Sequence, residues 1–365
     1  MKNSVLYLGN FSPITSFAAL NRALGICKLF NGINFDSHIA VHDCNESFFK
    51  NSYFQKNNIT LHVTNFKKQS FYYSSKEYFN LIKKIPNLRI VILYNFPFIP
   101  SKKIIKYCSN NGIKVIGDIT EWYDTSNVNL ILKPIKYFDT ESRMKKLNYN
   151  LDGLILVSNY LNSFYKRANK IKIYPLMDYA ISDSFYSHTK TEDKNSLIRI
   201  GYVGISGNNK DDLEGFLDFL SRSKITNVEI IVVGTLNDKI ERSLKKSGIP
   251  FKYYGLVDHS RAIELLCGCD CQVLFRKPSR MNNAGFPTKF AESTCLGIPV
   301  ICTRFSDLAD FVSETTFVID NNPDELKHFL LSIKKKLLIP DCSMFYAKYY
   351  EKEFAVFIER LLLKK

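Results

Sequence analysis

A single tryptophan and six histidines occur in 365 residues, and no apolar run approaches the ~20 residues that a membrane-crossing helix needs. The longest apolar stretch, Ile90 to Pro100, is interrupted by Asn95 and two prolines and reads as a buried strand. Met1-Lys2-Asn3-Ser4 passes straight into Val-Leu-Tyr-Leu, the opening of a strand and not a signal peptide. The nine cysteines are odd in number and scattered, apart from Cys267, Cys269 and Cys271. That C-x-C-x-C run lacks zinc-knuckle spacing and has no histidine pair nearby, so reduced thiols packed as small hydrophobes in a cytoplasm are expected. No internal repeat or low-complexity tract is present. Acidic residues are in deficit, 35 against 50 Lys+Arg, for a net charge of +15. The deficit lies in the first half: residues 1–180 hold 24 basic and 11 acidic residues, and residues 181–365 hold 26 and 24. Such an excess points to an anionic partner, whether nucleic acid, anionic lipid or a phosphorylated substrate, with plain solvated surface as the alternative.

What is present is a globular composition, 45% hydrophobic and 23% charged, which excludes a disordered chain. The length exceeds what one core usually serves, so two domains are expected. In the first half, strand-like runs Ser4–Leu8, His38–His42, Ile59–Val63, Ile90–Tyr94, Lys114–Asp118 and Gly153–Val157 alternate with helical stretches. Residues 179–197 are polar and aperiodic and read as a linker. The alternation then restarts with strands Ile198–Val203, Val228–Val233, Phe251–Tyr254, Cys271–Phe275 and Pro299–Cys302. An amphipathic helix over Met344–Leu363 would close the structure. Strand–helix alternation of this kind makes parallel sheets covered on both faces. The expected organisation is therefore a doubly wound α/β domain over 1–178, a linker, a second over 198–343, and a terminal helix over 344–365. Ligands bind beyond the carboxyl ends of such strands, and two facing domains make a cleft.

The segment from Arg276 to Val300 carries the most chemistry. A strand runs into a loop with Arg276, Lys277, Arg280, Asn282 and Asn283, and Pro287 then stands where a helix begins. Free amides at a helix start, the positive end of its dipole and Lys289 in its first turn suit an anionic phosphate group. Glu292 lies one turn further, where its two oxygens can accept from a ribose diol. Read alone, Lys289 and Glu292 also fit an i,i+3 salt bridge on an exposed face.

Pro287-Thr288-Lys289-Phe290-Ala291-Glu292 followed by Leu296-Gly297-Ile298-Pro299-Val300 resembles the signature of GT-B glycosyltransferases, particularly family-4-like enzymes of bacterial surface polysaccharide synthesis. Arg276, Ser279 and Asn282 resemble a capsule-type variant of the same loop. Leu151 to Ser158 is similar to the strand that ends the first domain in a serine, and Tyr174-Pro175-Leu176-Met177-Asp178 stands where the family shows Pro-Asn-Gly-Val-Asp. Tyr202-Val203-Gly204 would open the nucleotide domain, with Lys210 at a phosphate-contacting position, and the backbone of Gly255 and Leu256 would meet the base. The resemblance implies two Rossmann-like domains and transfer of a sugar from a nucleoside diphosphate sugar, with no metal and no other cofactor. It assigns the leaving diphosphate to Lys289, Arg276 and the amides at Thr288 and Lys289, and the ribose to Glu292. The sequence departs from the family at Ala284, where retaining members carry the first glutamate of Glu-x7-Glu, so retaining and inverting outcomes both stay open.

In the first domain, Asp118 and Glu121 follow a strand and are candidates for the general base that an acceptor hydroxyl needs. The alternative is that Asp118 caps the loop with Trp122 packed beneath it. The histidine that the family often places nearby is absent, since none occurs between His62 and His188. His259 reads as a surface residue at a helix start. Basic and aromatic residues interleave in Phe66–Tyr73 and in Lys133–Phe138, followed by Arg143, Lys145 and Lys146. That composition suits an anionic lipid surface, or stacking on single-stranded nucleic acid. Beside a glycosyltransferase nucleotide domain the lipid reading is preferred. The expectation is a cytoplasmic enzyme, peripheral at the inner face of the cell membrane, acting on a glycan or polyprenyl-linked acceptor and binding no nucleic acid. The rivals are a nucleotide-sugar epimerase of the same fold and a catalytically silent subunit that binds lipid or a partner.

Overall fold

The structure, a computed structural model, describes residues 2–13, 16–44, 57–64, 76–125, 129–166, 169–178, 197–205, 211–320, 322–335 and 340–363. The expected linker (save Leu197), the Phe66–Tyr73 tract and Lys210 lie outside the described residues. The chain divides into two compact units. One comprises Met1–Tyr179, Ala284–Phe286 and Ser343–Lys365, the other Ala180–Asn283 and Pro287–Cys342.

The first unit is built on a seven-stranded parallel sheet in the order β3-β2-β1-β4-β5-β6-β7. The strands are β1 (Asn3–Leu8), β2 (Phe35–Val41), β3 (Ile59–Val63), β4 (Leu88–Tyr94), β5 (Lys114–Ile119), β6 (Gly153–Leu156) and β7 (Lys170–Lys172). The central strands read as unbroken Val, Ile and Leu because both faces are covered. The helices are α1 (Phe17–Gly32), α2 (Lys76–Lys84), α3 (Phe98–Asn110), α4 (Lys133–Ser142) and α5 (Asn159–Phe164), the last capped by Ser158 Oγ. Strand β7 was not anticipated; its three residues, Lys-Ile-Lys, are too few to show a period.

The terminal helix starts later than its amphipathic pattern suggests. Two 3-10 turns, Ser343–Phe345 and Ala347–Tyr350, precede α12 (Glu351–Leu363). Asp178 Oδ2 accepts from the Ala347 amide at 2.8 Å, and Phe345 O accepts from Met177 N at 2.8 Å. With these long-range partners, residues 343–350 form short 3-10 turns tied to the chain before the linker and not a continuous helix. Helix α12 then packs on α1, Phe354 meeting Phe30 edge-on at 4.9 Å. The strands after β7 belong to the second unit, with the helices numbered between α5 and α12.

That unit holds a six-stranded parallel sheet in the order β10-β9-β8-β11-β12-β13. Its strands are β8 (Ile198–Ile205), β9 (Val228–Thr235), β10 (Phe251–Tyr253), β11 (Cys271–Leu274), β12 (Val300–Thr303) and β13 (Thr316–Ile319). Helices α6 (Leu213–Arg222), α7 (Asp238–Ser247) and α8 (His259–Cys267) each begin on a capping side chain, Asp212, Asn237 and Asp258. They are followed by α9 (Arg280–Ala284), α10 (Thr288–Cys295) and α11 (Pro323–Lys335). All nine cysteines are free thiols. Among the described residues no helix is long and apolar enough to cross a membrane.

At the carboxyl end of β5, the first unit buries an ion pair. Asp118 is fully buried and accepts from Arg22 Nη2 at 2.8 Å and Nε at 2.9 Å, and from the Tyr7 hydroxyl. Arg22, on α1, also donates from Nη1 to the Ile173 carbonyl at 3.0 Å. Burial, followed by the Asp118 charge, drives the Tyr7 hydroxyl pKa well above its ordinary value. This arrangement corrects the general-base expectation for Asp118. Its carboxylate ties β1, α1 and β5 together and presents nothing to a substrate. Removing one partner of such a buried pair strands the other charge. Asp118→Asn should therefore lower the unfolding free energy by about 3–5 kcal/mol, read from urea denaturation, and an unchanged midpoint would restore Asp118 as a candidate base.

Candidate functional site

The second sheet reverses its winding between β8 and β11, and the loops beyond the carboxyl ends of those two strands are where this fold class takes ligands. Arg276 follows β11, Asp211 leads into α6 after β8, and Lys289 is the second residue of α10. Arg276 Nε donates to Asp211 Oδ1 at 2.7 Å, and Lys289 Nζ donates to Asp211 Oδ2 at 3.3 Å. The Tyr202 hydroxyl, on β8, donates to the same Oδ2 at 3.3 Å. The Arg276 guanidinium lies 5.2 Å from the centre of the Phe305 ring, and its main-chain amide is held by Thr303 Oγ1 at 2.8 Å.

Burial pushes the Asp211 carboxyl up, but Lys289 and Arg276 together outweigh it and hold it below its ordinary value. Burial lowers Lys289, and the neighbouring Arg276 adds to this while Asp211 opposes it. Two cations held at one carboxylate leave a net positive site.

Two glycines make room for this cluster. A Cβ on Gly204 would overlap Lys289 Nζ and stand 3.2 Å from Asp211 Oδ2. Gly234, at φ +120°, would place a Cβ on the Gly204 carbonyl oxygen, and its amide donates to the Gly255 carbonyl at 2.8 Å. The ends of β8, β9 and the β10–α8 turn are thereby drawn together. Gly255 has φ +69°, and Leu256 beyond it is 79% exposed.

Pro287 takes the N-cap position of α10 in an extended conformation, and Thr288 is the first helical residue. Glu292, one turn in, accepts from His259 Nε2 at 3.3 Å. His259 starts α8, as its position before an apolar run suggests, and also contacts the carboxylate proposed for the ribose. Asn282 is buried, donating from Nδ2 to the Lys277 carbonyl at 2.8 Å, while its Oδ1 is buried without a partner. Ala284 is fully buried, and its carbonyl accepts from Ser158 Oγ at 2.8 Å within the first unit. Glu121 stands half-buried in the loop after β5. Trp122, beside it, is buried with Nε1 donating to Glu141 at 2.8 Å and its ring edge-on to Phe164.

The structure thus brings together Gly204, Arg276 and Lys289, and separately Glu292 with His259. Asp211 is not singled out by the sequence, and Tyr202 only as the opening of the nucleotide domain. The doubled acid Asp211-Asp212 was a usable signal, because only Asp212 is needed to cap α6. Gly204→Ala should displace the Lys289 ammonium at little cost in stability, since the tip of a flexible side chain can move. Affinity for nucleoside diphosphate should fall about tenfold, as for loss of one charged contact, read by titration calorimetry, and an unchanged affinity would remove Lys289 from the ligand.

Residues 198–335 match the family described as Glycosyl transferases group 1. No curated protein matches the chain. Among solved structures, a glycosyltransferase from Rickettsia africae ESF-5 aligns over 100% of both chains with TM-score 0.66 and 14% identity. Anabaena Alr3699/HepE in complex with UDP aligns over 98% of this chain and 100% of its own, at TM-score 0.62 and 12% identity. The lipopolysaccharide outer core galactosyltransferase WaaB, in its apo form, aligns over 98% of this chain and 99% of its own, at 0.62 and 14%. At these identities the structural likeness establishes the fold, while the family match falls on the unit that carries Arg276, Lys289 and Glu292. Most of the second unit, residues 198–335, thus matches the group 1 glycosyl transferase family, and the two parallel-sheet units share the fold of these solved structures.

Proposed function

We propose that the protein transfers a sugar from a nucleoside diphosphate donor to a glycan or lipid-linked acceptor in cell-surface polysaccharide synthesis, at an anionic membrane face. The observation that carries the donor half is the convergence of Arg276 and Lys289 at the switch point of the second sheet. When the bond between the sugar carbon and the β-phosphate oxygen breaks, the electron pair stays on that oxygen. Cations and helix-start amides already aimed at it favour the transition state over the ground state. Arg276, Lys289 and the amides of Thr288 and Lys289 supply this without a metal ion. Glu292, steadied by His259, receives the ribose hydroxyls, and the turn at Gly255 and Leu256 receives the base. Asn282 shapes the loop between Arg276 and α10. Glu121 is left as the candidate base for the acceptor hydroxyl.

The membrane half is supported by α4 and the turn before it. Leu130 and Ile131 are 82% and 80% exposed, and Leu132, Ile135, Tyr137 and Phe138 are exposed as well. Lys133 and Lys136 lie among them, with Lys145 and Lys146 exposed on the following π turn. Apolar and cationic side chains presented together suit insertion at anionic headgroups. This is the face of the half of the chain that carries +13.

Incubation with UDP-, GDP-, dTDP- and CMP-sugars and extracted lipid acceptors should give transfer from one of them. Absence of binding by every nucleotide would end the donor reading. Lys289→Ala should reduce turnover by about a hundredfold or more, in line with removal of one preorganised donor to a developing anion, with the melting temperature nearly kept. Flotation with vesicles should show binding that requires anionic lipid and is lost in a Leu130→Ser, Ile131→Ser, Phe138→Ser variant. Equal flotation of that variant would return α4 to ordinary solvated surface.

A further inference from the structure

The carboxylate at the centre of the cation pair has no structural task that a neighbour does not already fill. Asp212, not Asp211, caps α6, and Asp212 also pairs with Lys277 at 3.3 Å. Asp211 instead spends both oxygens on Arg276, Lys289 and Tyr202. Its side chain is 9% exposed, against 13% for Arg276 and 25% for Lys289. All three groups are largely buried, with the carboxylate bonded to both cations. A diphosphate that reaches Arg276 and Lys289 meets the fixed negative charge that already pairs with both.

We propose that Asp211 tempers the donor site: it holds Arg276 and Lys289 in register when no donor is bound, and its charge repels the diphosphate so that the spent nucleotide leaves. The proposal rests on the reading that these two cations hold the donor diphosphate. The repulsion grows along the reaction. In the nucleotide sugar the β-phosphate carries the sugar on one oxygen, and once that bond breaks the same oxygen bears an added negative charge. The product is therefore more strongly opposed by Asp211 than the donor is. Like charges within a few ångströms of one another in a largely buried site interact strongly enough to alter affinity measurably.

The test is titration calorimetry of the full chain with inorganic diphosphate, with UDP, GDP, dTDP and ADP, and with the corresponding nucleosides. Asp211→Asn keeps an oxygen that accepts from Arg276 and removes the charge. It should bind inorganic diphosphate and the preferred nucleoside diphosphate about tenfold more tightly than wild type, with nucleoside affinity unchanged. A residue that served only as a scaffold would give the opposite sign, so equal or weaker diphosphate binding overturns the proposal. If the variant melts at the assay temperature, added inorganic diphosphate should restore its melting temperature by supplying the missing negative charge, and failure to do so also overturns it. Wild type that binds diphosphate with no gain in the variant refutes this role alone. If neither protein binds any diphosphate, the donor-site reading falls and takes this role with it.

Discussion

Parallel pairing governs this molecule. A parallel strand cannot be joined to its neighbour by a tight turn, so the chain must cross a face of the sheet before each return. Helices therefore cover both faces, and the strands between them become runs of Val, Ile and Leu without alternation. The same constraint sends every strand–helix loop to one end of the sheet. Where the winding reverses, between β1 and β4 in the first unit and between β8 and β11 in the second, neighbouring loops part and leave room. In the second unit that room is occupied by Arg276, Lys289 and Asp211.

The two units use buried charge in opposite ways. At the carboxyl end of the first sheet, Arg22 and Asp118 balance each other one to one and are closed off, with Tyr7 completing the set. Nothing is left over, and the pair serves to join α1 to the sheet. At the equivalent end of the second sheet the count is two cations to one anion, and both cations keep some exposure. A neutral, sealed cluster stabilises; a positive one keeps charge to offer an anionic ligand. That difference in stoichiometry, more than any single residue type, separates structure from chemistry here.

The glycines at the site follow from the same crowding. Gly204 is bare because an ammonium group lies against it, and Gly234 because the Gly204 carbonyl does. These are close approaches near the ends of β8 and β9, and they explain why two adjacent strands both carry glycine as their next-to-last residue. The positive site and the exposed apolar face of α4 belong to different units, which accords with a charge excess confined to the first half of the sequence. In the proposed function a few cations on the second unit would serve the donor, and the surplus on the first an anionic surface.

Hydrophobic periodicity was sufficient to place most strands and helices within a few residues, because burial on both faces writes itself into unbroken apolar runs. It failed where elements were too short to show a period, at Lys170–Lys172 and Thr316–Ile319, and where long-range hydrogen bonds outcompeted a helical pattern, at residues 343–350. Residue type and helix position were enough to nominate Arg276, Lys289 and Glu292, since a phosphate-binding helix start has a local signature. Partners are another matter. That Asp118 would meet Arg22, 96 positions away, and that Asp211 would meet Lys289, 78 positions away, is decided by which strands become neighbours. A carboxylate's neighbours determine whether it is a base, a brace or a counter-ion, and sequence spacing does not contain them. The sequence alone determined the doubly wound architecture and nominated Arg276 and Lys289; the tertiary structure decided which partners Asp118 and Asp211 meet, because charge acts through space and not along the chain.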